Sequence, residues 1–102
     1  MKKSQNLAAL IEEAIIDAYG EDEQRMGFLV MIEENIPVPF SATIAGSSIQ
    51  VKKFDVDDHR IFVRCKRNGR MYSVDVLDIV PEIGTPGVEW IAAYRQWQQY
   101  AR

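Results

Sequence analysis

Two adjacent carboxylates, Glu33 and Glu34, stand where a helix would not choose them. They close the stretch Glu21–Asn35, which reads as a helix, and its C-terminal end already carries the negative pole of the backbone dipole. That end also presents backbone carbonyls without helical donors, from Met31 through Asn35. Carboxylates beside carbonyl oxygens are the donor set of a hard cation such as Ca2+. A bound cation would relieve the repulsion between the two glutamates and between them and the dipole. The plain alternative is that both side chains point into water at a cost of a few tenths of a kcal/mol. A second oxygen cluster, Asp55-Val56-Asp57-Asp58, could add Asp57 and Asp58 to the same ion. It is not an EF-hand, because Arg60 and Lys66 fall where that loop needs Gly and Glu. The candidate metal ligands are thus Glu33, Glu34, Asn35, Asp57 and Asp58.

Other chemistry is thinly represented. Cys65 is the single cysteine and His59 the single histidine, so neither a disulfide nor a zinc set can form within the chain. Phosphate-binding glycine loops are missing from the sequence. Nucleophilic catalysis needs a thiolate with a base in reach. A hairpin turning at Asn68-Gly69 puts Cys65 on its inward face, so no enzyme centre is expected around Cys65 and His59. Arg64, Lys66, Arg67 and Arg70 form a basic face that could hold a nucleic acid or an anionic partner. The pI of about 5.1 argues against nucleic acid, and an ordinary solvated strand face accounts for these residues as well.

The elements that must position these groups follow from periodicity. Leu7, Leu10, Ile11, Ala14, Ile15 and Ala18 mark an amphipathic helix over 7–19, with Gly20 as its stop. The second helix begins on Glu21, Asp22 and Glu23, which suit the positive dipole end, and Pro37 and Pro39 force extended chain after Asn35. From Phe40 the apolar period becomes two. Gly46-Ser47-Ser48 reads as a turn, Lys52-Lys53 as a bulge and Asp57–Arg60 as a loop. Asn68-Gly69 is the preferred pair for a two-residue hairpin turn. It sets Arg67 opposite Arg70, Cys65 opposite Tyr72, Val63 opposite Val74 and Ile61 opposite Val76. Val63, Cys65, Tyr72 and Val74 are then expected inside, and Arg64 and Lys66 outside. Thr85 is expected to cap a last helix with Pro86 at its first position, and Trp90, Tyr94, Trp97 and Ala101 form its core stripe.

The expected fold is α+β: two N-terminal helices over 7–35, an SH3-like small antiparallel barrel of four or five strands over 39–81, and a C-terminal helix over 85–101. A chain of 102 residues makes one domain, and its 47% hydrophobic and 26% charged composition is that of a globular protein. Charge is uneven. Residues 1–35 hold three Lys/Arg against eight Asp/Glu, whereas residues 36–80 hold seven against five. Glu12, Glu13 and Asp17 interrupt the apolar segment behind Met1, so neither a secretory leader nor a membrane span is read there, and a cytoplasmic protein is expected.

The chain also resembles a known family. Ile15 through Glu23, Met26-Gly27, the apolar run into Glu33-Glu34-Asn35, and Pro39-Phe40-Ser41-Ala42 are similar to the CcbP-type calcium-binding proteins, first described in bacteria of the cyanobacterial group. The stretch from Val74 through Asp78-Ile79-Val80-Pro81 and the Trp-containing last helix share the likeness. The resemblance implies helices packed on an SH3-like barrel, with calcium held by surface carboxylates and carbonyls. The functional expectation is a non-enzymatic Ca2+ binder, buffer or sensor, with a weak site of Kd on the order of 10⁻⁴ to 10⁻³ M. The alternative is a metal-free protein-interaction module.

Overall fold

The computed structural model describes residues 6–100. Its second helix, α2, spans Glu21–Asn35, the bounds its acidic start and proline-rich exit predict. Gly20 caps it in extended conformation, and Glu23 Oε1 accepts from the Tyr19 N–H at 2.8 Å. Phe28, Leu29 and Ile32 are buried, while Val30 is exposed, so α2 is one-sided rather than buried all round.

The first helix, α1, is shorter than its apolar period suggests. It spans Leu7–Ala14, with the Asn6 side chain capping the Ala9 N–H. The chain then turns, with Asp17 at φ 64° and Ile16 71% exposed. Aspartate tolerates this left-handed backbone better than a bulky residue would. Gly20, expected to stop α1, instead begins α2.

The strands are β1 (Phe40–Ile44), β2 (Ser47–Val56), β3 (Ile61–Arg67), β4 (Arg70–Asp75) and β5 (Val80–Pro81). They form one antiparallel sheet in the order β4-β3-β2-β1-β5. This sheet is not closed, so the expected barrel is an open, bent sheet with β4 and β5 as its edges. The β1–β2 turn is Ala45-Gly46, both at positive φ, and Ser47 and Ser48 belong to β2. The bulge falls at Lys52, where the β2–β3 register shifts between Val51 and Lys53. Asn68-Gly69 is the β3–β4 turn at φ 52° and 78°, and the register expected from it holds from Arg67–Arg70 to Val63–Val74. Val76 does not continue the ladder opposite Ile61. It opens a short 3-10 turn, Val76–Asp78, capped by Asp75, whose Oδ1 accepts from the Leu77 N–H.

Val63 and Cys65 are buried as expected, and Arg64 and Lys66 are outside. Tyr72 corrects the expectation at 44% exposure, and Val74 is only half-buried. Both lie on the inward side of an edge strand, which the core covers only at its Val76 end.

The last helix, α3, spans Glu89–Tyr100 and so starts later than a Thr85 cap would place it. Thr85 Oγ1 donates to the Glu82 carbonyl and closes a turn instead. Gly87 at φ +82° then prevents a helix from running through Pro86. Trp90, Tyr94 and Trp97 are core residues, and Ala101 lies outside the described residues. Phe28, Tyr94 and Trp97 cluster with ring centroids 5.3–5.9 Å apart. The Tyr94 hydroxyl accepts the Ile61 N–H at 3.1 Å and so ties α3 to the start of β3. Among the described residues no helix is long and apolar enough to cross a membrane.

Where α1 crosses α2, a methyl group on Gly27 would collide with the Ala14 carbonyl. The helices approach this closely only because Gly27 has no Cβ. Gly27→Ala is therefore expected to destabilise the fold by about 1–3 kcal/mol, because a backbone carbonyl cannot step aside as a flexible side chain can. Urea unfolding checks this, and an unchanged midpoint would contradict the packing described.

Candidate functional site

The C-terminal turn of α2 collects oxygen atoms. Glu33, Glu34 and Asn35 are all exposed, and no basic residue lies in this last turn. Among the described residues neither glutamate forms an ion pair. The Met31 carbonyl accepts from Asn35 Nδ2 at 2.7 Å, and the Ile32 carbonyl accepts from the Ile36 N–H at 2.9 Å. The Glu33 and Asn35 carbonyls fare differently. Their partners in a continuing helix would be the nitrogens of Pro37 and Pro39, which have no hydrogen to give. The prolines thus leave the Glu33 carbonyl without a backbone donor, whereas Gly87 packs over the Asn35 carbonyl.

The loop before α3 closes on the same place. Gly87 lies so near the Asn35 carbonyl that any Cβ there would collide with it and press on the Ile36 side chain. Ile36 is buried, so the end of α2 is anchored from below while its carboxylates face solvent.

Among the described residues, no three His, Cys, Asp or Glu side chains converge closely enough to hold a metal. A cation at the end of α2 would therefore draw on at most two carboxylates, which leave the helix about 100° apart, and would complete its shell with the Asn35 amide oxygen, the Glu33 carbonyl and water. Such a set suits Ca2+, which accepts six to eight mixed oxygens, and does not suit zinc, which wants nitrogen and sulfur.

Asp57 and Asp58 lie elsewhere. The structure sets their loop against the first two turns of α2, where Asp22, Arg25, Met26, Val56, Asp57 and Asp58 line a cleft of about 240 Å³. Along the α2 axis, the rise from Arg25 to Glu34 is about 13 Å. The two halves of the expected ligand set therefore sit at opposite ends of one helix. Asp57 is also occupied, since its Oδ1 accepts from the His59 N–H at 2.8 Å and the Arg60 N–H at 3.0 Å. These bonds, more than the charges of Arg60 and His59, hold its carboxyl below the usual aspartate range.

That cleft already contains a cation, and periodicity offered the signal for it. Arg25 is spaced i, i+3, i+4 and i+7 with Phe28, Leu29 and Ile32, so it shares their inward stripe. It is only 5% exposed. Its Nη1 donates to the Asp58 carbonyl at 3.0 Å and to Asp22 Oδ1 at 3.1 Å, and its Nη2 lies 3.6 Å from Glu21. The guanidinium stands 5.6 Å from the centre of the Trp97 ring, within cation–π range. Trp97 in turn donates its indole N–H to Gln24 Oε1 at 2.8 Å. A divalent ion between Asp22, Asp57 and Asp58 would have to share the space with this fixed positive charge.

Arg64, Lys66, Arg67 and Arg70 are all exposed on the β3–β4 hairpin. Cys65 is buried between them, and burial pushes its thiol pKa up, away from the reactive thiolate. His59 is exposed in its loop.

Arg25→Ala removes two charge-assisted hydrogen bonds and the cation over Trp97. It is expected to cost about 1.5–3 kcal/mol in urea unfolding and to change the tryptophan emission of the folded protein. Unchanged stability would mean that Arg25 does not tie α2 to the Asp57–Arg60 loop.

Comparison with known proteins places this geometry. The family model for calcium-binding proteins of the CcbP type matches residues 9–98. No curated protein matches the chain. Among solved structures, the crystal structure of CcbP from Anabaena superposes with a TM-score of 0.77 at 20% identity, covering 95% of this chain and 92% of that one. A calcium-binding protein in its calcium-binding form superposes with a TM-score of 0.76 at 21% identity, covering 93% and 90%. At these identities the superpositions establish a shared fold, and the family match over nearly the whole chain goes further: this protein belongs to the CcbP family of calcium-binding proteins.

Proposed function

We propose that this protein binds Ca2+ reversibly at the C-terminal end of α2, with Glu33 and Glu34 as its charged ligands and the Asn35 amide oxygen and the Glu33 carbonyl as neutral ones. The observation that carries the reading is the uncompensated negative charge there. Two carboxylates without basic partners stand on the negative pole of a helix whose following residues include Pro37 and Pro39. Membership of a calcium-binding family supports Ca2+ as the ion. Asp57 and Asp58 serve the fold in this reading, by closing the β2–β3 loop around Arg25.

Two carboxylates make a weak site. A Kd on the order of 10⁻⁴ to 10⁻³ M is expected, at the weak end of the range for oxygen-ligand calcium sites. Binding without chemistry agrees with the buried Cys65 and the exposed loop position of His59.

Glu33→Gln combined with Glu34→Gln should weaken Ca2+ binding at least about tenfold in a calorimetric titration. The same pair should stabilise the calcium-free protein by about 0.3–1 kcal/mol, because two charges leave the unfavourable end of a helix dipole. Asp57→Asn combined with Asp58→Asn, at the other end of α2, should leave calcium affinity within about twofold of the parent. If the glutamine pair binds as the parent does, or the asparagine pair loses binding, the site lies at the Asp57–Asp58 loop and this reading fails.

A further inference from the structure

We infer that the β2–β3–β4 surface docks an extended acidic segment of a partner protein. Lys53, Arg64 and Lys66 share the outer face of these strands, Lys52 stands at the bulge beside them, and Arg67 and Arg70 flank the turn in the other register position; all six are exposed. Among the described residues none of the six has a carboxylate within 4.0 Å or a side-chain hydrogen bond. The register makes this worse than mere crowding. Lys53 faces Arg64 directly across β2–β3, and Arg67 faces Arg70 across the hairpin turn. Like charges in direct cross-strand pairs destabilise a sheet. Two other cations among the described residues are matched by carboxylates: Arg25 meets Asp22 and Glu21, and Arg60 meets Asp75. Among the described residues, positive charge accumulates without a carboxylate partner around this hairpin.

The geometry says what kind of anion fits. Arg64 and Lys66 are two residues apart on one face of β3, a spacing of about 6.8 Å. Carboxylates two residues apart on an extended peptide have the same spacing. β4 is an edge of the sheet, so its outward backbone groups are open to a further strand, and the exposed Met71 and Tyr72 flank that edge on its two faces. An acidic strand laid along β4 would pair with the backbone, bring apolar side chains onto Met71 or Tyr72, and present carboxylates to the long cations beside it.

A single-stranded nucleic acid fits less well. Phe62 is the one aromatic side chain on the outer face of this hairpin, and its cross-strand neighbours are Asp55 and Asp75. A base stacked on Phe62 would lie between Asp55 and the Arg60–Asp75 ion pair, with Arg64 as the nearest unpaired cation for its phosphates. A second copy of this chain fits less well too, because the Asp and Glu residues of 1–35 lie largely on helices, which cannot add to a strand edge.

The test uses the full chain in EDTA, so that calcium binding has no part in its outcome. The probe is a fluorescein-labelled peptide of about ten residues alternating Glu and Val, with an alternating Lys and Val peptide and an oligothymidylate of similar length as comparators. Anisotropy at low ionic strength should show saturable binding of the Glu–Val peptide alone, weakening several-fold as salt rises to about 0.3 M. Arg64→Glu with Lys66→Glu should reduce that affinity at least about tenfold, and the milder Arg64→Gln with Lys66→Gln should reduce it measurably while keeping the circular dichroism of the parent. Failure of the acidic peptide to bind, binding that ignores these substitutions, tighter binding of the oligothymidylate, or self-association of the chain abolished by the same substitutions would each overturn the proposal.

Discussion

A buried guanidinium organises this molecule. Arg25 enters the core on the apolar stripe of α2 and is met there by the Asp58 carbonyl, by two carboxylates of its own helix and by the face of Trp97. Three parts of the chain distant in sequence thus meet at one charge: the start of α2, the β2–β3 loop and the end of α3. The Tyr94 hydroxyl, accepting from the Ile61 N–H one turn earlier on α3, fixes the other side of that loop. Burying a charge is costly unless it is paired and hydrogen-bonded, so these partners are conditions for the fold rather than ornaments on it.

The same cation divides the acidic residues into two groups with different prospects. Those near the N-terminus of α2 are neutralised by Arg25 and by a favourable helix pole. Those near its C-terminus have neither. One helix therefore carries an acidic end beside an internal cation and an acidic end without one, and the proposed calcium site is the latter. Pro37 and Pro39 reinforce the contrast by stopping the helix without supplying donors to its last carbonyls. The β2–β3–β4 strands, by contrast, hold positive charge in two like-charged cross-strand pairs. Strong charge separation within a chain of net charge −3 is a property of surfaces that meet ions and partners rather than of a core.

Much of this arrangement was legible in the residues. α2 is announced by an acidic first turn and ended by prolines, two signals with direct physical causes. The Asn68-Gly69 register is specified because a slip of one residue would carry Val63 and Cys65 into water. The unsatisfied end of α2 was visible from dipole reasoning alone. What escaped depends on tertiary contact. The apolar period of α1 runs past Ala14, yet the chain turns at Asp17 to let α2 cross against Gly27. Thr85 and Pro86 have the chemistry of a helix start, but Gly87 must fit under the Asn35 carbonyl, so α3 begins later. Tyr72 has an inward register position on a strand that the core leaves uncovered. Asp57 and Asp58 looked like partners for Glu33 and Glu34 because sequence gives no distance along α2, and the decisive cation, Arg25, is hidden among its apolar neighbours.

In the proposed arrangement the negative end of α2, and not the Arg25 cleft, attracts the divalent ion. The most direct measurement is the amide spectrum of isotope-labelled protein titrated first with Ca2+ and then with trace Mn2+, whose paramagnetism broadens signals near its site. The amides of residues 32–36 and of the Gly87 turn are expected to shift with calcium and to broaden first with manganese, with those of residues 22–26 and 56–60 broadening later and shifting least. Broadening centred on Asp57 and Asp58, with the end of α2 unaffected, would contradict this arrangement.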